Sequence, residues 1–379
     1  MTTWHLITGE YPPEPGGVSD YTRLVAIELA RVGDVVNVWT PCLSGSGEAV
    51  TAEDGTIVHR LPGHFGPTAL RVLDRALHAS PGRILVQYVP HAFGWKAMNL
   101  PFVLWLYARR KMDIAVMFHE VAFPISRSQT LRQNFLGAAN RTMAAFAARA
   151  ARRILVSTVS WETLLRKMIP KNAPIVCLPL PSTIPVVQDR EGIAAIRRNF
   201  SPAAAPLVGH FGTFGVETVN LLDKILPALL NGVPSADAML IGRNSERYAM
   251  AIAREHPELA RRIHASGSLT PCEVSMHISA CDLLLQPYPD GITTRRTSAM
   301  VGLAHGRAVV TNSGHLTESI WSERRAVAIA PANDIAAGAA LARDLLADSA
   351  RREQLARSGA SLYADRFDIS HTIATLRAA

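Results

Sequence analysis

The segment from Asp282 to Thr311 constrains the possible fold more than any other part of this 379-residue sequence. An apolar run ends at Pro287, a polar turn-forming stretch leads into a helical run, Gly306 ends that run, and a second β-branched run follows. This order predicts a strand, a loop, a helix and a parallel strand, which together form one βαβ unit. In sheets of such units, ligands bind at the carboxyl ends of the strands, against helix N-termini.

The predicted helix of this unit begins with a dense set of groups that can bind phosphate. They are Thr293, Thr294, Arg295, Arg296, Thr297 and Ser298. The unpaired N–H groups and the dipole of a helix N-terminus favour an anion, and an arginine can hold a phosphate through two parallel bonds. The segment therefore predicts an anion site. The alternative is an ordinary capped surface helix with solvated arginines.

The same alternation of apolar runs, glycine- or proline-containing loops and helical runs extends over the whole chain. It starts at Thr3 and restarts at Leu207, after a proline-rich stretch at 174–185 that is typical of a linker. Strand followed by helix, twice over, predicts an α/β protein with two Rossmann-like, doubly wound parallel-sheet domains and a cleft between them. We expect the N-terminal domain at 1–180 and the C-terminal domain at 181–365.

Loops that follow predicted strands carry candidate functional residues, because strand ends are where such domains place their ligands. In the first half these are Gly16, Gly17, His91, His119 and Glu120, and in the second half Gly212, Thr213, Arg243, Ser268 and Leu269. Paired glycines let the main chain approach a ligand closely, although they also suit a simple turn. A histidine in such a place is as compatible with a structural role as with a catalytic one. No Gly-x-Gly-x-x-Gly motif supports a nicotinamide site.

The composition indicates a folded cytoplasmic protein that uses neither metals nor disulfides. Charged residues make up 18% of the chain and hydrophobic residues 48%, which suits two sizeable cores. The four cysteines, Cys42, Cys177, Cys272 and Cys281, have no paired spacing. The first residues do not resemble a signal peptide, and the longest apolar stretch, 97–108, is too short to span a bilayer.

The net charge of +8 is concentrated between residues 121 and 175, where Glu162 is the one acidic side chain. Such a basic region suits either docking on anionic lipid or plain solvation. Together with the aromatic segment at 95–107, it is compatible with a lipid-linked acceptor and a peripheral position on the inner membrane. No nucleic-acid-binding motif is present, so nucleic acid is not an expected partner.

Eight short motifs occur in an order that resembles a known enzyme family. They are Pro-Pro-x-Pro-Gly-Gly-Val at 12–18, Phe-His at 118–119, Gly-x-Phe-Gly-Thr at 209–213, Leu-Ile-Gly at 240–242, Gly-x-Leu at 267–269, Gln-Pro-Tyr at 286–288, Ala-His-Gly-x-Ala-Val-Val at 304–310 and Thr-Glu at 317–318. In this order they resemble the retaining glycosyltransferases of family 4, which have the GT-B fold. The resemblance covers nearly the whole chain.

This resemblance implies that the C-terminal domain binds a UDP- or GDP-linked sugar, that the N-terminal domain binds a sugar or lipid-linked acceptor, and that no metal or other cofactor takes part. It also implies a final helix, within 366–379, that returns to the N-terminal domain. The histidine matching His119 contacts the reacting sugar in the family, which makes it the first catalytic candidate. Asp20 and Glu120 are candidates to orient or deprotonate the acceptor hydroxyl. Asp20 also suits a purely structural role at a helix start.

The sequence departs from the family at the donor site. Two glutamates of the family, one near the reacting sugar and one on the nucleotide ribose, correspond to Thr293 and Val301. The arginine and lysine that hold the diphosphate correspond to Thr213 and Glu217. We expect Arg295 and Arg296, with Arg243 nearby, to supply the missing charge. Gly16, Gly17, Gly212, Thr213, Thr293, Thr294 and Ser298 are expected to face the donor diphosphate, and Ser268 and Leu269 the nucleotide base. The departures also leave open a catalytically impaired, nucleotide-sugar-binding protein of this fold.

Overall fold

The computed structural model describes residues 1–43, 49–201, 205–332 and 334–378. The chain divides into two compact domains. The N-terminal domain comprises Met1–Pro179 together with Ile369–Ala379, of which residue 379 lies outside the described part, and the C-terminal domain comprises Leu180–Asp368. Each domain is a parallel β-sheet with helices, so the predicted fold class is confirmed.

The N-terminal domain contains an eight-stranded sheet in the order β3-β4-β2-β1-β5-β6-β7-β8. Its elements are β1 (Thr3–Thr8), α1 (Gly17–Arg31), β2 (Val35–Pro41), β3 (Ala49–Glu53), β4 (Thr56–Leu61), α2 (Pro67–Ala79), β5 (Arg83–Tyr88), α3 (Leu100–Ala108), β6 (Ile114–Phe118), α4 (Leu131–Ala150), β7 (Arg153–Val156), α5 (Val159–Leu165) and β8 (Ile175–Cys177). A 3₁₀ turn, Trp95–Ala97, precedes α3. Every residue of β6 is buried, as expected for a parallel strand covered on both faces.

The C-terminal domain contains a six-stranded sheet in the order β11-β10-β9-β12-β13-β14. Its elements are α6 (Arg190–Phe200), β9 (Leu207–Phe211), α7 (Val216–Gly232), β10 (Asp237–Ile241), α8 (Ser245–Glu255), β11 (Ile263–Ala265), α9 (Pro271–Ala280), β12 (Leu283–Leu285), α10 (Thr297–Ala304), β13 (Ala308–Asn312), α11 (Ile320–Glu323), β14 (Ala328–Ala330), α12 (Ile335–Ala347) and α13 (Ser349–Arg366). The strand pairs of this sheet are parallel. The strand ends that carry its loops therefore share one edge.

A final helix, α14 (Ile369–Arg377), belongs to the N-terminal domain. Its last carbonyl groups are capped by two arginines: Arg153 Nη1 donates to the carbonyl oxygen of Leu376 at 2.9 Å, and Arg83 Nη1 donates to that of Arg377 at 3.1 Å. Cationic groups at this end also interact favourably with the helix dipole. The Arg377 side chain in turn pairs with Asp34, with Nε 3.2 Å from Oδ2. These contacts join the end of the chain to the first sheet.

The prediction that strand and helix alternate strictly was wrong between β2 and β5. The segment contains an antiparallel hairpin, β3 and β4, followed by helix α2. The hairpin turns at Asp54 and Gly55, which both have positive φ, of 51° and 79°. An Asp-Gly pair favours this two-residue turn. The stretch at 174–185 was also more than a linker, because it contains strand β8.

The helix of the βαβ unit starts later than the sequence predicted. Helix α10 begins at Thr297, with Arg296 as its N-cap residue, so 293–296 form part of the preceding loop. This loop is held by partners distant in sequence, which are described with the site below. The final helix expected within 366–379 is α14, which begins at Ile369, while α13 continues to Arg366.

Candidate functional site

The order of strands in the C-terminal sheet reverses between β9 and β12, and doubly wound sheets bind ligands at such a switch point. Gly212 follows β9 and Gln286 follows β12. Nε2 of Gln286 donates to the carbonyl oxygen of Phe211 at 3.2 Å, which joins the two strand ends. The amide oxygen of Gln286 is buried and has no hydrogen-bond partner within the described ranges. The Gln-Pro motif thus holds the ends of β9 and β12 together at the switch point.

Glycines allow the strand-end loops of this domain to pack main chain against main chain. Gly242 has φ of +120°, and a Cβ atom there would lie 2.4 Å from the carbonyl oxygen of Gly212. Gly291 has φ of +85°, and its Cβ would lie 2.3 Å from the main-chain nitrogen of Gly314. Other side chains would force these loops apart. The edge of the sheet therefore consists largely of main-chain groups.

Four residues predicted to bind the donor lie on these loops. Thr213, Arg243 and Ser268 are exposed, whereas Leu269 is partly buried against the core. The carbonyl oxygen of Thr213 accepts a hydrogen bond from Asn244 Nδ2 at 3.3 Å. All four follow strands β9, β10 and β11, which are neighbours in the sheet, so the fold brings them to the same edge.

Arg295 and Arg296 lie in the loop before α10 and share one carboxylate. Arg295 Nη2 is 2.7 Å from Asp290 Oδ2, and Arg296 Nη2 bonds to Asp290 Oδ1. The guanidinium of Arg296 also lies over the ring of Tyr288, 4.7 Å from its centre. The two arginine side chains are 19% and 24% exposed. We call Tyr288, Asp290, Arg295 and Arg296 the arginine cluster.

The hydroxyl residues of this loop are also engaged with the protein. Glu318 accepts two hydrogen bonds from Thr294, one from the main-chain nitrogen at 2.6 Å and one from Oγ1 at 2.8 Å. Thr293 is fully buried, and Ser298 Oγ is 2.8 Å from the hydroxyl of Tyr288. Asp290 pairs with both arginines, and Glu318 adds a second carboxylate beside this loop. The loop is therefore more ordered and less positive than the sequence suggested.

His210, on β9, is the buried titratable group nearest to the switch point of the C-terminal domain. Its Nδ1 donates to the carbonyl oxygen of Leu285 at 2.8 Å, and its Nε2 is buried without a partner among the residues described. A Cβ atom on Gly212 would lie 3.3 Å from this Nε2. Burial lowers the pKa of His210 to about 4, because the charged imidazole loses its hydration. The ring is neutral at physiological pH.

In the N-terminal domain the switch point lies between β1 and β5, and the first helix start beside it carries a carboxylate of the protein itself. Glu10 Oε1 accepts a hydrogen bond from the main-chain nitrogen of Ser19 at 3.2 Å. A Cβ atom on Gly16 would lie 2.6 Å from this oxygen, whereas one on Gly17 would meet open space. Burial raises the pKa of Glu10, although the bond from Ser19 opposes this. Gly16 thus leaves room for Glu10 at the N-terminus of α1.

His119 follows β6, is 5% exposed, and donates from Nε2 to Oε1 of Gln87 at 2.8 Å. Its Nδ1 is buried and has no partner in the part of the chain that the structure describes. Tyr21 packs edge-on against the ring, with centroids 5.0 Å apart. Burial lowers the pKa of His119 to about 3. The imidazole is therefore neutral, with a lone pair on Nδ1 that can accept a hydrogen bond.

The two acidic catalytic candidates lie on different elements of the N-terminal domain. Glu120 follows His119, and its Oε2 is 3.8 Å from Nδ1 of His91, which follows β5. Asp20 is exposed in the first turn of α1, where a negative charge is stabilised by the helix dipole. The structure therefore brings His91, His119 and Glu120 together at the ends of β5 and β6.

The basic region at 121–175 is not simply one solvated face. Four of its arginines donate to main-chain carbonyl groups of the N-terminal domain: Arg141, Arg149, Arg153 and Arg166. The aromatic segment is also mainly structural, since Phe102 is fully buried and stacks on Phe93 with centroids 4.3 Å apart. Exposed apolar side chains lie at Trp95 and Leu104 in this segment and at Ile125, Leu131 and Phe135 in the basic region.

No group of three or more potential metal ligands occurs within the ranges that the structure describes. In the same ranges, no helix has the length and apolar character needed to cross a membrane.

A family model of the glycosyl transferase 4-like domain matches residues 16–181. The fold of the whole chain is similar to that of sucrose-phosphate synthase from Thermosynechococcus elongatus, with a TM-score of 0.77 and 16% identity over 99% of this chain and 97% of that chain. The fold of the whole chain is therefore that of the GT-B glycosyltransferases, and its N-terminal part matches the glycosyl transferase 4-like domain.

Two further GT-B structures are similar over almost their whole length. WaaG, a glycosyltransferase involved in lipopolysaccharide biosynthesis, has a TM-score of 0.71 and 16% identity over 99% of this chain and 100% of that chain. HepE of Anabaena in complex with UDP and glucose has a TM-score of 0.69 and 15% identity over 99% and 98%. No curated protein matches the chain in sequence.

The chain lacks carboxylates at the two positions where the family resemblance implies glutamates. Val301 is fully buried in the core, and Thr293 has no exposed surface. Two carboxylates that we did not assign from the sequence nevertheless lie here: Asp290 within this loop, and Glu318, which follows β13 and bonds to Thr294. The signals were present in the Pro-Asp-Gly turn and in the Thr-Glu motif, but their partners became evident only in three dimensions.

Proposed function

We propose that this protein is a retaining glycosyltransferase that moves a hexose from a UDP- or GDP-linked donor to a hydroxyl group of a sugar or lipid-linked acceptor. The proposal includes a metal-independent reaction in polysaccharide or glycoconjugate synthesis. The observation that carries it is His119, a buried neutral imidazole at the position whose family counterpart contacts the reacting sugar. HepE of Anabaena, which has the same fold, is described in complexes with UDP and UDP-glucose, which supports such a donor.

Departure of the sugar leaves negative charge on the diphosphate, and preorganised donors are the means of stabilising it without a metal. The arginine cluster after β12 and the exposed side chains of Thr213 and Arg243 after β9 and β10 offer such groups, whereas the N–H groups of Gly212 and Gly242 already donate to Ile241 and Ser266. Asp290 would keep the arginines in place before the donor binds. We assign the nucleotide to this edge of the C-terminal domain.

The acceptor is assigned to the N-terminal domain. His119 Nδ1 can accept a hydrogen bond from a sugar hydroxyl, because its Nε2 already donates to Gln87. Its low pKa keeps it from acting as a general acid at neutral pH. Glu120 or Asp20 would then orient or deprotonate the attacking hydroxyl.

A peripheral position on a cytoplasmic membrane surface is part of the proposal. Ile125, Leu131 and Phe135 are 45%, 90% and 68% exposed, and Arg127 and Arg132 are exposed between them. Apolar side chains interspersed with cations suit an anionic lipid surface. Liposome flotation with and without anionic lipid tests this point. A matched Leu131→Ser, Phe135→Ser variant should lose retention, and absence of retention in the unchanged protein would remove the membrane from the proposal.

The activity itself is tested with a panel of UDP-, GDP- and dTDP-sugars. We expect release of the nucleoside diphosphate from one of them and, with an acceptor present, a product that keeps the anomeric configuration of the donor by NMR. His119→Ala should reduce turnover by about 10²–10⁴-fold, the range of a positioned catalytic side chain. Exposed His78 on α2 provides the matched control, His78→Ala.

The alternative is a protein that binds nucleotide sugars without turnover. The residues that favour it are Thr293 and Val301, since neither side chain can act as a carboxylate. Tight binding of a nucleotide in calorimetry, with no turnover on any acceptor, would select this function over transfer.

A further inference from the structure

Arg60 is a buried arginine of the N-terminal domain with no acidic partner in the described part of the chain. It lies near the end of β4 and is 8% exposed. Its Nη2 donates to the carbonyl oxygen of Pro12 at 2.5 Å, and its Nη1 is buried without a hydrogen-bond partner among the residues that the structure describes. A guanidinium has five N–H donors, and an ionised group buried without partners is costly. Such a cation indicates an anion that completes the site.

Arg262 in the C-terminal domain shows what a structural arginine looks like in this protein. Its Nη2 donates to the carbonyl oxygens of Leu230, Val233 and Ala236 at 2.9, 2.6 and 2.7 Å, and its Nε also donates to Ala236. The main chain satisfies that guanidinium from several directions. Among the described residues, Arg60 donates to a single carbonyl group, that of Pro12. A purely structural role therefore does not account for its burial.

Thr40 lies beside Arg60 and is unsatisfied in the same way. The two residues are in register on the parallel strands β2 and β4, so their side chains lie on the same face of the sheet. Thr40 is fully buried, and its Oγ1 has no partner among the residues described. A hydroxyl and a guanidinium, both without sufficient partners, are therefore adjacent near the carboxyl ends of two strands. Strand ends are the edge at which such sheets bind ligands.

We propose that Arg60 and Thr40 form a binding site for an oxyanion, either phosphate or carboxylate, that the acceptor carries. The inference rests on the proposed function, which it deepens by naming the chemical class of the acceptor. The anion takes the place of the Pro12 carbonyl oxygen on Arg60 Nη2, gives Nη1 a partner, and accepts a hydrogen bond from Thr40. The loop that contains Pro12 moves aside when the anion binds.

The position of Arg60 in the sheet favours the acceptor over the donor. β4 is two strands from β1, and neighbouring strands are about 4.8 Å apart, so Arg60 lies on the order of 10 Å from the switch point. A sugar ring with an anionic substituent spans about this distance, which leaves a hydroxyl at the switch point. The N-terminus of α1, the other anion site of this domain, already holds the Glu10 carboxylate.

Direct binding tests the site without any need for turnover. Calorimetric titration uses glucose 6-phosphate, glucuronate, inorganic phosphate and glucose as probes, with Arg60→Met, Thr40→Val and the exposed control Arg75→Met. We expect at least one anionic probe to bind, and Arg60→Met to weaken it about 30-fold, which corresponds to about 2 kcal/mol. Thr40→Val should weaken it less, Arg60→Lys should retain part of the affinity, and Arg75→Met should have no effect. Equal affinities in the unchanged protein and Arg60→Met, or no anionic probe bound, would overturn the proposal.

Thermal unfolding separates a binding role from a structural one. Because Arg60 is a poorly paired buried cation, Arg60→Met should keep or raise the melting temperature, whereas Arg262→Met should lower it. A decrease in Arg60→Met as large as that in Arg262→Met would show that Arg60 braces the fold and would refute the site. Vesicles of phosphatidylcholine with phosphatidic acid identify the source of the anion: retention that depends on Arg60 assigns it to a lipid headgroup, and binding of glucose 6-phosphate assigns it to a soluble acceptor.

Activity measurements distinguish failure of this inference from failure of the proposed function. If nucleotide sugar is consumed but Arg60→Met leaves the KM for every anionic acceptor unchanged, the site is wrong and the function stands. If no nucleotide sugar is consumed while Arg60→Met still abolishes binding of the anionic probe, the function is wrong and the site stands. A loss of UDP affinity in Arg60→Met would assign the site to the donor and contradict the acceptor role.

Discussion

In the N-terminal domain, an acidic side chain occupies the start of the first helix, whereas in the C-terminal domain two arginines before a helix are held by acidic side chains. Glu10 accepts a hydrogen bond from the first turn of α1, and Asp290 bonds to both Arg295 and Arg296. The domains have the same type of sheet and the same position of the ligand edge. They differ in which charge the protein supplies at that edge.

A helix N-terminus or a pair of arginines is therefore not by itself a vacant anion-binding site in this protein. In each domain the protein already provides a counter-charge, so a ligand must compete with it or bind beside it. Among the described residues, buried polar groups without a partner also lie away from these charges, at Arg60 and Thr40 in one domain and at Gln286 and His210 in the other. These groups indicate binding more directly than charge alone.

The largest expected effect concerns the buried histidines that the domains share. His119 and His210 have folded-state pKa values of about 3 and about 4, lowered from 6.5 by burial. The unfolded chain therefore binds more protons between pH 6.5 and these values, and stability decreases as the pH falls through that window. Each histidine should contribute about 2 kcal/mol of destabilisation between pH 7 and pH 5. Urea unfolding at both pH values measures this change.

The variants His119→Gln and His210→Gln test whether the two domains are alike in this respect. Each variant should reduce the change in the free energy of unfolding between pH 7 and pH 5 by about half, whatever its effect on stability at pH 7. If only one of them does so, the comparison fails, and the histidine without effect titrates normally in the folded protein.

The second prediction concerns the closure of the N-terminal domain by the last helix, which the continuous C-terminal domain does not need. The side chain of Asp34 is fully buried and accepts hydrogen bonds from the main chain of Thr2 at 2.9 Å and from Trp4 Nε1 at 3.1 Å, and it pairs with Arg377. Asp34→Ala should destabilise the domain by about 3 kcal/mol, because it leaves these groups unpaired. Calorimetric unfolding measures the loss. The control is Asp365→Ala, at an exposed ion pair with Arg324 in the other domain, which should cost less than about 1 kcal/mol. Similar losses in both variants would contradict the buried contact.

The sequence predicted the parallel sheets and the strand-end positions, because apolar runs and glycine loops are local signals. It placed the start of α10 four residues too early, since Thr294 is held by Glu318, which is distant along the chain. It also missed the β3–β4 hairpin, although Asp54 and Gly55 carried the turn signal. β3 is a short exposed edge strand whose one large apolar residue, Val50, faces solvent, so hydrophobic periodicity did not reveal it.

The unsatisfied groups at Arg60 and Thr40 were beyond sequence analysis for a different reason. A single arginine on a strand and a single threonine on another strand have no motif. Their significance arises from register across two strands and from the absence of a partner in the described residues, which are properties of the packed sheet.

The third prediction tests whether the arginine cluster serves the donor or only the loop. Arg295→Ala and Arg296→Ala should each weaken nucleotide binding by about 1.5–3 kcal/mol, the contribution of a charged hydrogen bond. Isothermal titration with UDP and GDP measures the affinities, and Arg254→Ala, at an exposed position on α8, is the matched control. Unchanged affinity in both variants would mean that Asp290 holds the arginines for structural reasons alone, and the two domains would then both rely on main-chain groups.

The smallest expected effect is a difference in stability between alanine variants of the two glycines at the start of α1. Gly16→Ala places a Cβ atom against the Glu10 carboxylate, which must leave the helix start, and the lost interaction should cost about 1 kcal/mol. Gly17→Ala meets open space within the helix and should stabilise the protein by up to about 1 kcal/mol. Chemical denaturation measures both, and Glu10→Gln should remove most of the difference between them. If Gly17→Ala instead abolishes nucleotide binding at unchanged stability, the ligand approaches the main chain there, as the paired glycines suggest, and Glu10 yields its place when the donor binds.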